Sequence, residues 1–328
     1  MSKVFDTLLL LALPASGKSE VRTFLTARNP QAFHMGPTVQ LDDYPYVHLQ
    51  LLLDEALQAQ GLPRAYHHLD PEGQRNGPFM EPRELGALVE LLNDDYQEIL
   101  DKKASQAADP AYDLLRRLDD ASERVGASRK FNRLSPPALE KLRVAIADEA
   151  QALYADKRRQ IESMVPGRTV VIEFARGGPV VDKMPLPEGY GYQGTLRHLS
   201  PQLLGRSCVL YIRVDPEESR RKNRARARPD GHGSILFHGT PESVMNQEYG
   251  ACDMMYLVEQ SDRPGTLRVG RDGQVFHLPV AVFDNRTDLT TFARKPEAEW
   301  TDAEVHAIEG GLRQACDQLW ASWKQGRE

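Results

Sequence analysis

The chain has 328 residues, of which 41% are hydrophobic and 27% charged, and its formal net charge is -6. This composition excludes a disordered tail, a fibrous repeat and a membrane-embedded bundle, and the acidic balance argues against a protein-wide surface for polyanions. The length suggests two domains, or one large domain with an insertion. Cys208, Cys252 and Cys316 are too widely spaced for a metal or disulfide motif, which predicts a reducing, cytoplasmic environment.

Short, almost continuously apolar runs predict the strands of a parallel sheet that helices cover on both faces. These runs span 6–13, 37–42, 168–174, 207–214 and 278–284. The first run could also be the apolar part of a signal peptide, but its six apolar residues continue directly into a Gly-Lys-Ser sequence, which favours a strand. A further pair of runs, 266–270 and 273–277, predicts a hairpin because a turn sequence joins them.

Residues 46–165 carry helical periodicity and almost no strand signal, which predicts a helical subdomain inserted into the α/β core. Within it, 61–81 shows no periodicity and is predicted to be a loop, whereas a long helix is predicted from Ser135 to the Pro-Gly pair that ends near residue 166. The last predicted helix begins with a capping box of Thr301 and Glu304. The predicted units are therefore 1–45 and 166–328 for the core, and 46–165 for the insert.

The strongest chemical signal is the motif 12–19, Ala-Leu-Pro-Ala-Ser-Gly-Lys-Ser, which matches GxxxxGK[ST] except for alanine at the first position. Small residues let backbone N–H groups curl around a phosphate, and a helix that starts near Lys18 points its positive end at the same place. Lys18 would reach the β- and γ-phosphates, and Ser19 would coordinate Mg²⁺. The predicted nucleotide-binding residues here are Leu13, Pro14, Ala15, Ser16, Gly17, Lys18, Ser19 and Val21.

With this motif in place, the chain resembles a P-loop kinase of the nucleotide- and nucleoside-kinase type. The resemblance implies a three-layer α/β P-loop NTPase fold, with a five-stranded parallel sheet in the order 2-3-1-4-5 and a large helical insertion. It also implies ATP and Mg²⁺ as cofactors, an acceptor-binding region after the second strand and an Arg-rich lid after the fourth. The resemblance covers the core strands and the lid, and the helical insert is outside it.

The second landmark of the resemblance is Asp42-Asp43-Tyr44, at the end of the second predicted strand. Uridine-kinase-like enzymes carry a similar aspartate there, which accepts the proton of the substrate hydroxyl. A carboxylate close to the γ-phosphate is worth roughly 10²–10⁴ in rate as a general base. The alternative is that the pair caps the following helix. Asp43, or Asp42, is therefore the predicted base, and Tyr44 is a predicted acceptor contact.

The third landmark is Glu173, at the end of the third core strand and followed by Arg176. Related kinases place an acid here to hold the water shell of Mg²⁺, with an arginine shortly after it for the acceptor. The chemistry is suitable because Mg²⁺ prefers hard oxygen ligands and keeps several waters. The alternative is an ion pair between Glu173 and Arg176 that needs no ligand.

The fourth landmark is a run of six positive side chains in residues 219–229, within a predicted lid of about 216–240. Planar guanidinium groups suit phosphoryl oxygens, and an arginine on the transferring group is worth roughly 10³–10⁵ in rate. A solvated basic helix and a nucleic-acid patch are the alternatives. The arginines predicted to close over the phosphates are Arg220, Arg224, Arg226 and Arg228.

The last landmark is Asn285, just after the fifth core strand, where similar kinases carry an asparagine in a loop that wraps the adenine. Together the landmarks predict a kinase that transfers the γ-phosphate of ATP to a small hydroxyl- or phosphate-bearing acceptor, most simply a nucleoside or nucleotide. One alternative is a polynucleotide end or base kinase, which the net charge disfavours. Another is a nucleotide-hydrolysing switch without an acceptor.

Overall fold

The computed structural model describes residues 4–70, 76–226 and 239–325. The strands are β1 (Thr7–Ala12), β2 (Thr38–Asp42), β3 (His67–Leu69), β4 (Asn76–Phe79), β5 (Thr169–Ala175), β6 (Ser207–Arg213), β7 (Thr266–Arg271) and β8 (Gln274–Asp284). The helices are α1 (Lys18–Ala27), α2 (Tyr44–Gln58), α3 (Glu84–Asp101), α4 (Pro110–Arg124), α5 (Pro136–Ala145), α6 (Ala147–Ser163), α7 (Gly191–Leu196), α8 (Pro201–Leu204), α9 (Pro216–Arg226), α10 (Glu242–Gln247), α11 (Met254–Gln260) and α12 (Asp302–Gln325).

The main sheet contains six strands in the order β2-β5-β1-β6-β8-β7. The first five of these run parallel to their neighbours, and β7 runs antiparallel to β8 at one edge. Strands β1, β5 and β6 are buried along almost their whole length, as parallel strands covered by helices must be. The α/β class is confirmed, and the expected five strands become six because one strand of the predicted hairpin joins the sheet.

The predicted hairpin is present, but its second strand and the fifth core strand are one element, β8. The turn consists of Asp272 and Gly273, with φ of 51° and 74°, between the paired residues Arg271 and Gln274. A two-residue loop with positive φ at both positions matches the twist of the flanking strands. The chain then continues without a break into the core, so the separate runs 273–277 and 278–284 were one strand.

Helices cover both faces of the sheet and make three layers. Because side chains alternate along a strand, Leu8 and Leu10 of β1 pack with α1 and α12, whereas Leu9 and Leu11 pack with α3, α7 and α11. The longest described helix, α12, begins with the predicted capping box, since Thr301 Oγ1 accepts the N–H of residue 304. Of the helices in the described ranges, none is both long enough and apolar enough to pass through a membrane.

The inserted residues form a third apolar cluster, built from α2 to α6 and from a short antiparallel pair, β3 and β4. Helix α3 belongs to two cores, because Leu85, Leu88 and Leu91 pack in the insert while Val89 and Leu92 pack on the sheet. The insert is therefore fastened to the sheet by the part of this helix from Val89 to Ile99.

Two local predictions for the insert were wrong. The stretch 61–81 is not a plain loop, because buried Asp54 accepts the N–H groups of residues 65, 66 and 67 and positions β3 against β4. The long helix predicted from Ser135 is two helices, α5 and α6, separated at Ile146, whose φ of -111° is not helical. Ser135 does cap α5, because its Oγ accepts the N–H of Ala138.

Candidate functional site

The loop of residues 13–17 joins buried β1 to α1, which begins at Lys18 as predicted. Ala15 and Gly17 both have positive φ, 55° and 98°, and this backbone shape can turn successive N–H groups toward one point. Glycine is required at position 17, because a Cβ there would lie 2.4 Å from Thr290 Oγ1. Lys18 and Ser19 occupy the first helical turn and are half-buried. The loop is therefore a tight turn that leads directly into the first turn of α1.

Three side chains from separate elements bind alternate carbonyl oxygens along this loop. The hydroxyl of Tyr192 donates to the carbonyl of residue 12 at 2.9 Å, and Ser219 Oγ donates to that of residue 14 at 2.7 Å. Asn285 Nδ2 donates to the carbonyl of residue 16 at 2.8 Å. These three hydrogen bonds therefore fix the carbonyl oxygens of residues 12, 14 and 16 to the protein.

The predicted role of Asn285 at the adenine is corrected by this geometry. Its side chain is fully buried, and besides the loop carbonyl it contacts Thr290 Oγ1 at 2.9 Å and accepts the N–H of Leu289. It supports the loop from behind and has no surface for a base. The predicted contact of Val21 with the nucleotide is also wrong, because Val21 is fully buried in the apolar layer beneath α1.

Asp42 and Glu173 are direct neighbours at the ends of β2 and β5, where their Cα atoms are partners in the sheet register. Asp42 Oδ1 accepts the N–H of Tyr44 at 2.8 Å. Burial, followed by the charges of Asp43 and Glu173, raises the pKa of Asp42 to about 6, although Lys18 lowers it. The half-buried Asp42 is thus within electrostatic range of the loop lysine and shares the edge of the sheet with a second acid.

The buried carboxylate of Glu173 has a cationic partner, but the ion pair with Arg176 that was the alternative interpretation does not form, because Arg176 pairs with Asp43. Arg22 Nη1 of α1 lies 2.8 Å from Glu173 Oε1, and Gln40 Nε2 lies 3.4 Å from the same atom. Arg22 was not predicted as a site residue. The sequence did contain a signal for it, because it follows Lys18 by four positions and therefore shares the face of α1 at the loop.

Arg176 was expected to bind the acceptor, and its burial corrects that role. Its side chain is 2% exposed and donates to Asp43 Oδ2 at 2.6 Å, to the carbonyl of Ala175 and to the carbonyl of Leu85. A guanidinium with these three acceptors positions its neighbours and has no free face for a substrate. Tyr44, at the start of α2, is by contrast 37% exposed and remains accessible beside the acids.

Helix α9 carries the first of the predicted lid arginines. Its buried face consists of Ser219, Lys222 and Asn223. Arg220 is half-buried and forms no ion pair with the described residues, whereas Arg224 is exposed and pairs with Glu242 at 3.2 Å. The side chain of Arg226 and all of Arg228 lie outside the described residues, as does most of the predicted lid. Arg220 is thus the predicted arginine that is both described and unpaired.

Within residues 4–70, 76–226 and 239–325, no group of three or more His, Cys, Asp or Glu side chains is arranged to hold a metal ion. Ser19 and Glu173 would supply one hydroxyl and one carboxylate, a hard oxygen set that suits an ion which keeps most of its waters. The chain matches no model of a known protein family, no curated protein and no solved structure.

Proposed function

We propose that this chain is a P-loop kinase that transfers the γ-phosphate of ATP to a small acceptor bearing a hydroxyl or phosphate group. The observation that carries the proposal is the 13–17 loop between β1 and α1, with Lys18 in the first turn, Glu173 on the adjacent strand β5 and Asp42 on the next strand, β2. The order of the five parallel strands, β2-β5-β1-β6-β8, supports it, since this is the order that the resemblance implies.

The nucleotide would be held mainly by the main chain of the 13–17 loop and by Lys18. Backbone N–H groups at the start of α1, together with the helix dipole, favour a bound anion, and the lysine would neutralise the β- and γ-phosphates. Ser19 and Glu173 would hold Mg²⁺, which when bound neutralises charge on the phosphate oxygens. Arg22 would share Glu173 with the ion, because its guanidinium already contacts that carboxylate.

Of the two adjacent aspartates, Asp42 is the better candidate for the base. Asp43 is buried in an ion pair with Arg176, so its role is to hold the end of β2 in place. Asp42 forms no ion pair with the described residues, and a pKa of about 6 suits a group that accepts a proton near neutral pH. Arg220 would then approach the transferring phosphoryl group from α9, which Ser219 fastens to the 13–17 loop.

Binding is tested first, by thermal or denaturant unfolding with and without Mg²⁺ and ATP. At ATP about 100-fold above its Kd, the free energy of unfolding should rise by about 2.7 kcal/mol. Lys18→Ala should abolish this increase. The matched control is Lys141→Ala, which removes an exposed lysine from α5, and it should respond to ATP as the wild type does. An ATP response that is equal in both variants would refute the nucleotide site.

Transfer is tested by screening Mg-ATP turnover against pools of nucleosides, nucleotides, sugars and short oligonucleotides. We expect ADP formation that depends on one pool of small acceptors and is lost in Lys18→Ala. Turnover with oligonucleotides that falls steeply with salt would indicate a polynucleotide kinase instead. Phosphate release at the same rate without any acceptor would indicate a hydrolysing switch.

A further inference from the structure

Residues 240–253, here called the strap, follow the predicted lid and contact several parts of the molecule. At its start, Thr240 exchanges two hydrogen bonds with the side chain of Asn223 on α9. Near its end, Ala251 pairs with Gly178 through both backbone groups, and Asp253 caps α7 by accepting the N–H of Tyr192. The strap is therefore fixed to the core on both sides of its middle.

From the middle of the strap, one side chain reaches the insert. Glu248 is 3% exposed, and its Oε1 accepts the N–H of Phe79, the last residue of β4, at 2.6 Å. Burial raises the pKa of Glu248 to about 7, although the N–H of Phe79 and the charge of Arg176 lower it. A glutamine at this position would preserve the hydrogen-bonding oxygen without a charge.

A second core side chain binds the insert six residues further along the chain. Arg176 Nη2 donates to the carbonyl of Leu85, the second residue of α3, at 3.0 Å. Between these two points, the connection of residues 80–83 lies against the core, because Gly189 is so close that a Cβ there would lie 3.0 Å from Pro82 Cβ. The connection between β4 and α3 is thus held at both ends and in the middle.

This connection lies next to the acidic edge of the sheet. The guanidinium of Arg176 that binds Leu85 also binds Asp43 at 2.6 Å, so one buried group sets the distance between the connection and the pair of aspartates. In this connection the side chain of Met80 is exposed and that of Glu81 is half-buried.

We propose that Glu248 and Arg176 together clasp residues 79–85 as one wall of the acceptor pocket, which makes Glu248 a positioning residue for the acceptor. The inference rests on the proposed kinase function and adds to it the part of the insert that meets the acceptor. Glu248 touches neither the nucleotide loop nor Asp42 in the described structure, so its loss should leave ATP binding unchanged.

The clasp itself is tested by hydrogen exchange on the full chain, which needs no substrate. In Glu248→Ala the amide of Phe79 should exchange about tenfold faster, because the net free energy of one hydrogen bond corresponds to roughly a tenfold change in the equilibrium constant for opening. Glu248→Gln should exchange as the wild type does. Glu259→Ala, which removes an exposed acid from α11, is the control and should change nothing. Unchanged exchange at Phe79 in Glu248→Ala would overturn the clasp.

The acceptor role is tested by steady-state kinetics with Mg-ATP and the acceptor that the turnover screen identifies. Glu248→Ala should raise the KM for the acceptor about tenfold while the KM for ATP stays constant, and Glu248→Gln should restore it. If exchange at Phe79 is faster but the acceptor KM is unchanged, Glu248 holds Phe79 as proposed, but residues 79–85 do not form a wall of the acceptor pocket. If the wild type transfers phosphate to no acceptor, the kinase proposal and the wall both fail, and the exchange result alone decides the clasp.

Discussion

The candidate site and the helical insert each bury an aspartate among charged side chains, and the two aspartates behave in opposite ways. At the site, the pKa of Asp42 is raised to about 6, by burial and then by the neighbouring acids Asp43 and Glu173. In the insert, burial would also raise the pKa of Asp95, but the charges of Lys157 and Arg117 outweigh it and lower the pKa.

The difference lies in what surrounds each carboxylate. Asp95 accepts hydrogen bonds from the hydroxyl of Tyr46 and from Arg117 Nη2 at 2.7 Å, and it forms an ion pair with Lys157. Asp42 accepts one hydrogen bond, from the N–H of Tyr44, and Lys18 lowers its pKa by less than burial and the neighbouring acids raise it. A carboxylate whose partners are cations stays ionised, whereas one that lies beside other acids is ready to take up a proton or a cation.

Removing the charge of Asp95 should give the largest loss of stability. Asp95→Asn removes the ion-pair partner of buried Arg117 and leaves Lys157 only the more distant Glu98, which we expect to lower the free energy of unfolding by about 3–5 kcal/mol at pH 7. Because the folded pKa of Asp95 is lowered, the wild-type advantage is present above pH 3.8 and is lost as the pH falls further. Denaturant unfolding of both proteins as a function of pH measures it.

The matched control in the insert is Asp94→Asn. Asp94 is one residue away but 36% exposed, and it pairs with Arg124 near the surface. Such a pair contributes about 0–1 kcal/mol. If the two variants lost equal amounts of free energy of unfolding, Asp95 would not have the structural role that its buried cationic partners indicate.

Removing the charge of Asp42 should have the opposite effect on stability. The pKa of Asp42 is about 6 in the folded protein and near the ordinary 3.8 in the unfolded chain, so the folded protein binds this proton more tightly. As the pH rises from about 4 to 6 the carboxyl ionises, and the free energy of unfolding falls. Asp42→Asn should therefore raise the free energy of unfolding at pH 8 by on the order of 1–3 kcal/mol, while turnover falls roughly 10²–10⁴-fold. At pH 4 the two proteins should be equally stable.

The neighbouring Asp43 supplies the control for this prediction. Asp43→Asn removes the anion that pairs with buried Arg176, and it should destabilise the protein at pH 8 where Asp42→Asn stabilises it. Opposite signs at adjacent positions would separate the base from the positioning residue. If Asp42→Asn destabilised the protein as well, the assignment of Asp42 to the reaction would be wrong.

The sequence predicts well those parts of the fold that depend on near neighbours. Leu8 to Leu11 form a continuous apolar run, and a strand buried on both faces needs nothing else to be recognised. The pair β3 and β4 was missed because its geometry depends on Asp54, a buried side chain of α2 that binds three N–H groups of residues 65–67. No periodicity in the strands themselves records that contact.

The residues of the candidate site also divide into those that near neighbours in the sequence predict and those that depend on distant residues. The turn from β1 into α1 at Gly17 and Lys18 follows from eight consecutive residues, so the motif predicts it. The partner of Glu173 is Arg22, which is 151 positions away, and the support of the loop by Asn285 spans 269 positions. Pairings over such distances depend on how helices pack on the sheet, and local spacing offered only the nearby Arg176, as an alternative partner.

The smallest expected effect tests whether the 13–17 loop is preorganised by its support. Asn285→Ala removes the donor to the carbonyl of Ser16 and the acceptor for the N–H of Leu289, which should cost about 1–3 kcal/mol of stability. A loop that is free to relax should also bind Mg-ATP about tenfold more weakly, because part of the binding free energy is then used to order it. Isothermal titration with Mg-ATP and denaturant unfolding measure the two effects.

Asn223→Ala is the matched control, because Asn223 is also buried and also exchanges two hydrogen bonds, but with Thr240 and not with the loop. It should lower stability by a similar amount and leave the affinity for Mg-ATP unchanged. A common loss of affinity in both variants would mean that general softening of the fold is responsible. If only Asn285→Ala lowers the affinity for Mg-ATP, then Asn285 holds the 13–17 loop in the conformation that binds the nucleotide. The stability of the fold would not by itself require that conformation.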